Sequence, residues 1–431
     1  MTVSELNEKL RSASGRAAVE RLYGNGSEVV EGQLERYERL LETFARHFPP
    51  AATDDVVLFS APGRTEIGGN HTDHNNGRVL AAAIHLDTIA VAAGQRGGVI
   101  TVRSEGYAEP FVVDTKDLEP RAEEQGTSNA LIRGVAARLR ERGFRIGGFR
   151  ACAASEVGVG SGLSSSAAFE VLIGTILNHL HNDGTIEPRE IALAGRWAEN
   201  MFFGKPSGLM DQMTSAVGGF VSIDFADPAN PVVQRVRFDL AGSGVSLVVT
   251  NTGGSHADLT PEYAAIQREM QAVAKSCGAE LLRQTPLECV IERAAELRSR
   301  LGDRAILRAL HFFGDDDRVV EQAKALESHD LARFLELVNE SGRSSWMMLQ
   351  NCYVPGSTEQ GIALGLALSE GVLRRRGAWR VHGGGFAGTI LAFVPDDLLP
   401  IYTARMEATF GAGAAHVLRV RQTGACRLDL R

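Results

Sequence analysis

Apolar residues in the first fifty positions recur at helical spacing. Val30, Leu34, Leu40, Leu41 and Phe44 fall along one face of 30–47, and residues 3–19 also read as helix, the two joined across the turn-prone Gly24-Asn25-Gly26. Pro49, Pro50 and Thr53-Asp54-Asp55 stop the second helix, and the pattern then shortens to runs that suit strands: Val56–Phe59, Val79–Ile84, Ile89–Ala93, Val99–Val102 and Phe111–Val113. A helix over 129–143, with Leu131, Val135, Ala136 and Leu139 on its apolar side, ends at Gly143. The strand Phe149–Ala153 follows, then a glycine loop, a helix from about Ser165 and another through Ile191–Phe202. Gly204-Lys205-Pro206-Ser207-Gly208 breaks the pattern there. Gly218–Ile223 and Val245–Thr250 read as strands. Residues 260–349 are helical by pattern, with Trp346, Met347, Met348 and Leu349 as packing residues, and Trp379–Val381 with Thr389–Val394 form a strand pair around a glycine turn. Short strands interleaved with helices predict an α+β protein. The break near 203–210 divides it into residues 1–205 and 206–431, the last segment being free to pack back on the first lobe.

The chain has 431 residues and is 44% hydrophobic, enough for two cored domains. No apolar run approaches the ~20 residues of a membrane span, and Glu5, Lys9 and Arg11 precede no signal-type apolar segment. A net charge of −8 argues against a general nucleic-acid partner. Cys152, Cys277, Cys289, Cys352 and Cys426 are scattered without a Cys-x-x-Cys pair, which fits reduced thiols and offers no zinc pattern. The expectation is a cytoplasmic protein without a membrane or nucleic-acid partner, monomeric or alternatively a homodimer.

The densest chemistry lies in residues 155–168, Ser-Glu-Val-Gly-Val-Gly-Ser-Gly-Leu-Ser-Ser-Ser-Ala-Ala. Alternating glycines let a backbone fold around an anion, and a helix N-terminus behind them adds positive partial charge. Ser164, Ser165 and Ser166 add hydroxyls; a flexible Gly/Ser loop with an ordinary cap is the competing reading. Upstream, Pro62-Gly63-Arg64 leads into Asn70-His71-Thr72-Asp73-His74-Asn75-Asn76-Gly77. Asn70, His71 and Asp73 offer the mixed donors and acceptors that suit a polyol, and the Arg64 fork suits phosphate or a carboxylate. A self-bonded Asx turn also fits that loop. A metal on His71, Asp73 and His74 is the weaker alternative. Glu199 ends a helical run and Asp211 follows the Gly/Pro break, so one carboxylate can hold a divalent cation while the other orients or deprotonates an alcohol. A salt bridge from Glu199 to Arg196 and a helix-capping Asp211 are the plainer readings. Gly383–Gly388 permits close approach to a ligand or loop, and Tyr263 lies where a helix follows Asn251–His256.

In this order the segments resemble the galactokinase branch of the small-molecule kinases that include galactokinase, homoserine kinase, mevalonate kinase and phosphomevalonate kinase. Pro62–Leu80 resembles the galactokinase signature, Gly158–Ala168 the superfamily phosphate loop, Gly208–Gln212 the catalytic-aspartate segment and Gly383–Gly388 the third glycine motif. The resemblance runs from about residue 56 to near the C-terminus. It implies an α+β, two-lobed small-molecule kinase with its active site in the interlobe cleft, a mixed α/β N-terminal lobe and a ferredoxin-like C-terminal lobe. It also implies ATP and Mg2+, with phosphate transfer to the anomeric hydroxyl of a sugar. By matching position, Arg64 stabilises the transferring phosphate and Asp211 orients or deprotonates the sugar. Asn70, His71, Asp73 and Tyr263 line the sugar pocket. Gly158, Gly160, Ser161, Gly162, Leu163, Ser164, Ser165 and Ser166 cradle ATP, while Ser166 and Glu199 contact magnesium. The lysine and hydroxyl spacing of the Gly-x-x-x-x-Gly-Lys-Ser/Thr loop is absent from 158–166.

Three departures bear on substrate. A galactokinase ordinarily has Glu at Asn70, Tyr at His74, and Leu-Pro-Met where this chain has Leu80-Ala81-Ala82. A neutral amide at 70 would not repel a C6 carboxylate, and a protonated His74 would attract one; plant galacturonate kinases look similar at these two positions. The resemblance therefore implies D-galactose as substrate, with galacturonate or a related hexose or uronate as the alternative. A sugar- and nucleotide-binding regulator without turnover is the non-enzyme alternative.

Overall fold

The apolar stripe of 27–47 explains the first layer. Thr2 and Glu5 make a capping box that starts α1 (Val3–Arg11). The continuous helix expected over 3–19 is instead broken at Ser12, whose extended backbone and accepting hydroxyl cap α2 (Ala13–Tyr23). The bend brings Gly15 so close to the carbonyls of Lys9 and Leu10 that no side chain fits there. In α3 (Ser27–His47), Val30, Leu34, Tyr37, Leu40, Leu41 and Phe44 are buried at the predicted spacing. They pack with Val56, Leu58, Ile89, Val91 and Cys152 in one core cluster, so the three helices cover a sheet face.

The computed structural model describes residues 1–49, 55–158, 162–254 and 259–430. Two units emerge, one made of 1–64, 83–219 and 421–431 and the other of 65–82 and 220–420. Residues 206–219, grouped with the second lobe on sequence grounds, fold with the first, and 65–82 fold with the second. In the first unit, β1 (Val56–Gly68) and β2 (Arg78–Gln95) contribute their residues up to 64 and from 83 onward. They are followed by β3 (Val99–Ser104), β4 (Phe111–Asp114), α4 (Ser128–Glu141) and β5 (Gly148–Ser155). The strands lie in the order β1-β2-β5-β3-β4, with Cys426–Arg427 antiparallel outside β1. β5 runs antiparallel to β2 and parallel to β3, which makes the sheet mixed. The two strands expected over 79–84 and 89–93 are one, because Asp87 stays inside the layer, fully buried and ion-paired to Arg36 and Arg421. α5 (Ser165–His181), α6 (Pro188–Ala198) and α7 (Met210–Val217) complete the unit, α6 passing into a π turn over Glu199–Phe203 that ends at Gly204 with φ +85°.

The second unit begins with β6 (Phe220–Asp224), which pairs antiparallel with Arg78–Ala82 and with β7 (Val232–Val236). β8 (Val245–Asn251) then enters a helical stretch: α8 (Thr260–Ser276), α9 (Leu287–Glu292), α10 (Ala294–Leu301), α11 (Asp303–Glu327), α12 (Leu331–Ser344) and α13 (Gly361–Leu373). β9 (Ala378–His382), β10 (Thr389–Pro395), α14 (Leu399–Phe410) and β11 (Ala415–Leu418) close an antiparallel sheet of order β11-β8-β10-β9. First, third and second strands adjacent, with the fourth beside the first, is the ferredoxin-like order. Trp346 and Leu349 pack as expected, whereas Met347 is exposed. The expectation of five separate thiols is corrected at Cys277 and Cys289, which end α8 and enter α9 and are joined as a disulfide. Among the described residues no helix is long and apolar enough to cross a membrane.

Candidate active site

The residues singled out in sequence fall into two groups, one within each unit. In the first unit, Gly63 lets β1 approach the phosphate loop: a side chain there would meet the Leu163 carbonyl at 2.8 Å. The Arg64 N–H donates to that carbonyl at 3.1 Å. The Arg64 side chain then grips Asp211 with both arms of its fork, Nε to Oδ1 and Nη2 to Oδ2, each at 2.8 Å, and Nη1 donates to the Gly162 carbonyl at 2.5 Å. Ser164, in the left-handed region at φ 64°, donates its hydroxyl to Asp211 Oδ2. Burial works to raise the pKa of Asp211, but the Arg64 charge and hydrogen bonds, the Ser164 hydroxyl and Lys205 outweigh it and hold the carboxyl below its ordinary value. Gly158, Gly162, Leu163, Ser165 and Ser166 lie in this loop and the first turn of α5; Gly160 and Ser161 lie outside the described residues.

Behind the pair stands a buried carboxylate relay. Glu199 accepts from Ser166 Oγ at 3.3 Å, from Lys205 Nζ at 2.9 Å and, through its other oxygen, from Gln212 Nε2 at 2.9 Å. The same Gln212 nitrogen donates to Glu170 at 2.9 Å, and burial together with the Glu199 charge pushes the Glu170 pKa well up. A hydroxyl and a carboxylate converge here, and an ammonium already sits on that carboxylate. Hard oxygen donors with a cation at hand fit magnesium. Glu199 therefore pairs with Lys205, not with Arg196 as the plainer reading had it. Lys205, Gln212 and Glu170 were not picked out from sequence; the first two lay inside the quoted segment, and a glutamate in an apolar helical run was the only signal for the third.

In the second unit the signature loop is tied to the third glycine motif. His71, at φ 57°, donates Nε2–H to the Gly384 carbonyl at 2.8 Å, and its Nδ1 makes no hydrogen bond among the described residues. Tyr263 lies on α8 as expected, stacks against the His71 ring and donates its hydroxyl to the Gly385 carbonyl at 2.9 Å. Burial pushes its phenol up to about 12. Asp73 is half-buried, and its carboxylate accepts no hydrogen bond among the described residues. Asn70, expected to meet a sugar hydroxyl, is fully enclosed and spends its whole amide on the protein. Its Nδ2 donates to Glu66 Oε1 (3.0 Å) and Gly383 O (2.7 Å), and its Oδ1 accepts from Asn351 (2.9 Å) and Ser345 (3.2 Å). Its backbone is fastened as well, N–H to Asp315 at 2.8 Å and carbonyl from His311 at 2.9 Å.

The Glu66 carboxylate in this frame is buried and pairs with the buried Arg380 at 2.5 Å. The positive charge expected of His74 is not available near neutral pH. Both ring nitrogens are buried without a hydrogen-bond partner among the described residues, and desolvation, aided by His71 and His311 against Asp73, lowers its pKa to about 4. Among the described residues no cluster of three or more His, Cys, Asp or Glu could hold a metal, which removes the His71/Asp73/His74 alternative.

Known proteins resemble this chain, in two of these segments and over most of its length. The galactokinase galactose-binding signature matches residues 42–94, and the N-terminal domain model of the GHMP kinases matches 130–219. A galactokinase of Glaesserella parasuis is 34% identical over 361 residues, covering 82% of this chain and 88% of that protein. One from Streptomyces coelicolor is 31% identical over 369 residues, covering 84% and 91%. Among solved structures, Lactococcus lactis galactokinase complexed with galactose aligns at a TM-score of 0.73 and 24% identity, over 89% of this chain and 97% of that one. A mevalonate kinase aligns at 0.59 and 15%, over 84% and 98%, which shows the shared fold. With both signature segments matched and about a third of its residues shared along most of two galactokinases, the chain belongs to the galactokinase family of GHMP sugar kinases.

Proposed function

We propose that this sugar kinase transfers the γ-phosphoryl group of ATP to the anomeric hydroxyl of D-galactose, giving galactose 1-phosphate and ADP. The observation that carries the reading is the Arg64–Asp211–Ser164 constellation against the phosphate loop. The sugar oxygen attacks the γ-phosphorus, the bond to the β,γ-bridging oxygen breaks with its electron pair leaving on ADP, and the hydroxyl proton passes to Asp211 or solvent. A carboxylate held below its ordinary pKa and gripped at both oxygens is a weak base. Asp211 therefore acts first by orienting the hydroxyl, which suits a loose transfer that asks little of a base. Arg64 turns part of its fork to the charge developing on the phosphoryl oxygens. Ser166 and Glu199 would hold magnesium, which would neutralise phosphate charge.

We assign the adenine ring to a cavity of about 330 Å³ in the first unit, lined by Tyr107, Phe111, Thr127 and Asn129. Its Phe111 packs on Phe169 near the start of α5. In the second unit, His71 Nδ1 and the Asp73 carboxylate are acceptors for a diol, Tyr263 walls them, and Asn70 acts behind them by holding the loop. Galactose is favoured over galacturonate because desolvation keeps His74 neutral near pH 7 and Asn70 leans on the carboxylates of Glu66 and Asp315, so neither departure from the signature supplies a cation for a C6 carboxylate.

The deciding experiment incubates the protein with MgATP and a panel of hexoses and uronates and identifies products by phosphorus and carbon NMR. Galactose 1-phosphate is the expected product. Galacturonate 1-phosphate alone would overturn the substrate. Binding of ATP and sugar by calorimetry, without product from any sugar, would replace the enzyme by a regulator.

A further inference from the structure

The C-terminal turn of the first unit is tied to both elements that carry the Arg64–Asp211 pair, though neither motif reading includes it. Arg421 is buried, and its guanidinium is committed in two directions. Nη1 donates to Asp87 Oδ2 at 2.9 Å and to Ser60 Oγ at 2.6 Å, while Nε and Nη2 donate to the carbonyls of Thr423 (2.8 Å) and Gly424 (3.1 Å) in its own turn. Asp87 is in turn fixed by Arg36 at 2.6 Å and by the Tyr23 hydroxyl at 2.6 Å. The Arg421 backbone bridges two strand ends, its N–H to the Ala83 carbonyl and its carbonyl from the Gly219 N–H, both at 2.8 Å. The turn is thus a rigid piece anchored on a buried charge.

Its far side presses on α7. The Ala425 N–H donates to the Ser215 carbonyl at 2.9 Å, and Gly424 lies so close to the Ala216 carbonyl that no side chain fits. Ser215 is one helical turn beyond Asp211, and its hydroxyl donates to the Pro62 carbonyl at 2.6 Å, two residues before Arg64. One residue therefore touches the strand that carries the arginine and the helix that carries the aspartate, and the turn holds that residue in place.

We propose that the 421–425 turn is a positioning element for the Arg64–Asp211 pair, with Arg421 and Ser215 as positioning residues. This rests on the reading above that the pair acts in phosphoryl transfer. A misplacement of about 1 Å far from the chemistry can cost about 100-fold in rate. The full-length chain is compared with Ser215→Ala, Gly424→Ala, Arg421→Lys and Arg421→Met, each checked for folding by thermal melting. Two readouts are taken: kcat and KM for ATP and sugar, and the Arg64 Nε–Hε resonance in a nitrogen-edited NMR spectrum, assigned through Arg64→Lys.

Ser215→Ala, which deletes one hydroxyl and is the variant expected to stay folded, should lower kcat by about 10–100-fold. KM values should stay within about twofold, as for an interaction made only in the transition state, and the Arg64 signal should move and exchange faster with water. Gly424→Ala should do the same more strongly, and Arg421→Lys should retain more kcat than Arg421→Met. A folded Ser215→Ala with unchanged kcat and an unchanged Arg64 resonance overturns the proposal. If the wild-type chain phosphorylates no sugar, the transfer reading fails and the resonance alone decides the turn's role.

Discussion

The phosphate-handling group of the first unit and the sugar-signature group of the second are both dense in polar side chains, yet they are built on opposite plans. Around Arg64, Asp211, Ser166, Glu199 and Lys205 the partners are charged side chains whose bonds a nucleotide or cation can replace. Around Asn70 the partners are backbone carbonyls, amides and buried ion pairs that bond to one another and take up the whole Asn70 amide. Groups that meet a charge in motion need exchangeable partners. A loop proposed to offer acceptors to a neutral sugar is served by a frame whose groups bond to one another. The same residue type thus does different work: Asp211 is about one third exposed, at 32%, whereas Asp315 is fully buried and structural.

The largest test of that contrast is Asp211→Asn. If the first group is the reactive one, losing the carboxylate that orients the hydroxyl should lower kcat by about 100-fold while ADP affinity, measured by calorimetry, stays near wild type. Ordinary turnover in the folded variant would strip Asp211 of its role. The second test strikes the frame. Arg380→Met leaves the Glu66 carboxylate buried without its cation and should cost about 3–5 kcal/mol in chemical denaturation. Glu66→Leu with Arg380→Met should recover much of it, and a single variant as stable as wild type would show that the frame is not held by this pair.

A smaller effect separates the groups by pH. The folded pKa of His74, about 4, lies below its ordinary value of 6.5. The stability of the neutral imidazole is therefore present above pH 6.5 and lost as pH falls through 4. It amounts to at most about 3 kcal/mol. His74→Phe should flatten melting temperature against pH across that window, and an unchanged slope would mean that the ring is solvated. The smallest effect concerns Glu170, whose pKa is raised by burial and by Glu199. Its contribution is present below the ordinary glutamate pKa and is lost as pH rises through the folded value. Glu170→Gln keeps the shape and should raise the melting temperature at pH 8 with little change at pH 4. An equal shift at both would show that burial does not raise the Glu170 pKa.

Much of this was legible in the sequence, and for a common reason. Chemistry that depends on glycine, on a fork of guanidinium or on a helix start is local, so the loop 155–168, Arg64 and Asp211 announce themselves within a few residues. The helix over 30–47 was equally plain, because a single buried stripe needs only its own periodicity, and its start at Ser27 was not. Less legible was anything set by a partner distant in sequence. Asn70 looked like a sugar contact because an amide's donors and acceptors can serve either ligand or protein, and only Asn351, Ser345 and the Gly383 carbonyl choose between them. His74 looked like a cation because its ordinary pKa allows one, and burial decides otherwise.

By itself, then, the amino-acid order determined the family motifs, most helices and strands, and which charged and hydroxyl side chains those motifs carry. Tertiary structure decided which polar groups are spent and which are left over. It turned His85-Leu86-Asp87-Thr88 into the middle of one strand, by giving Asp87 two arginines from 51 and 334 residues away. It also made a C-terminal turn part of the support for Asp211. The physical reason is that a side chain's type sets what bonds it can make, while its protonation and its free valences depend on burial and on neighbours that only the folded chain supplies.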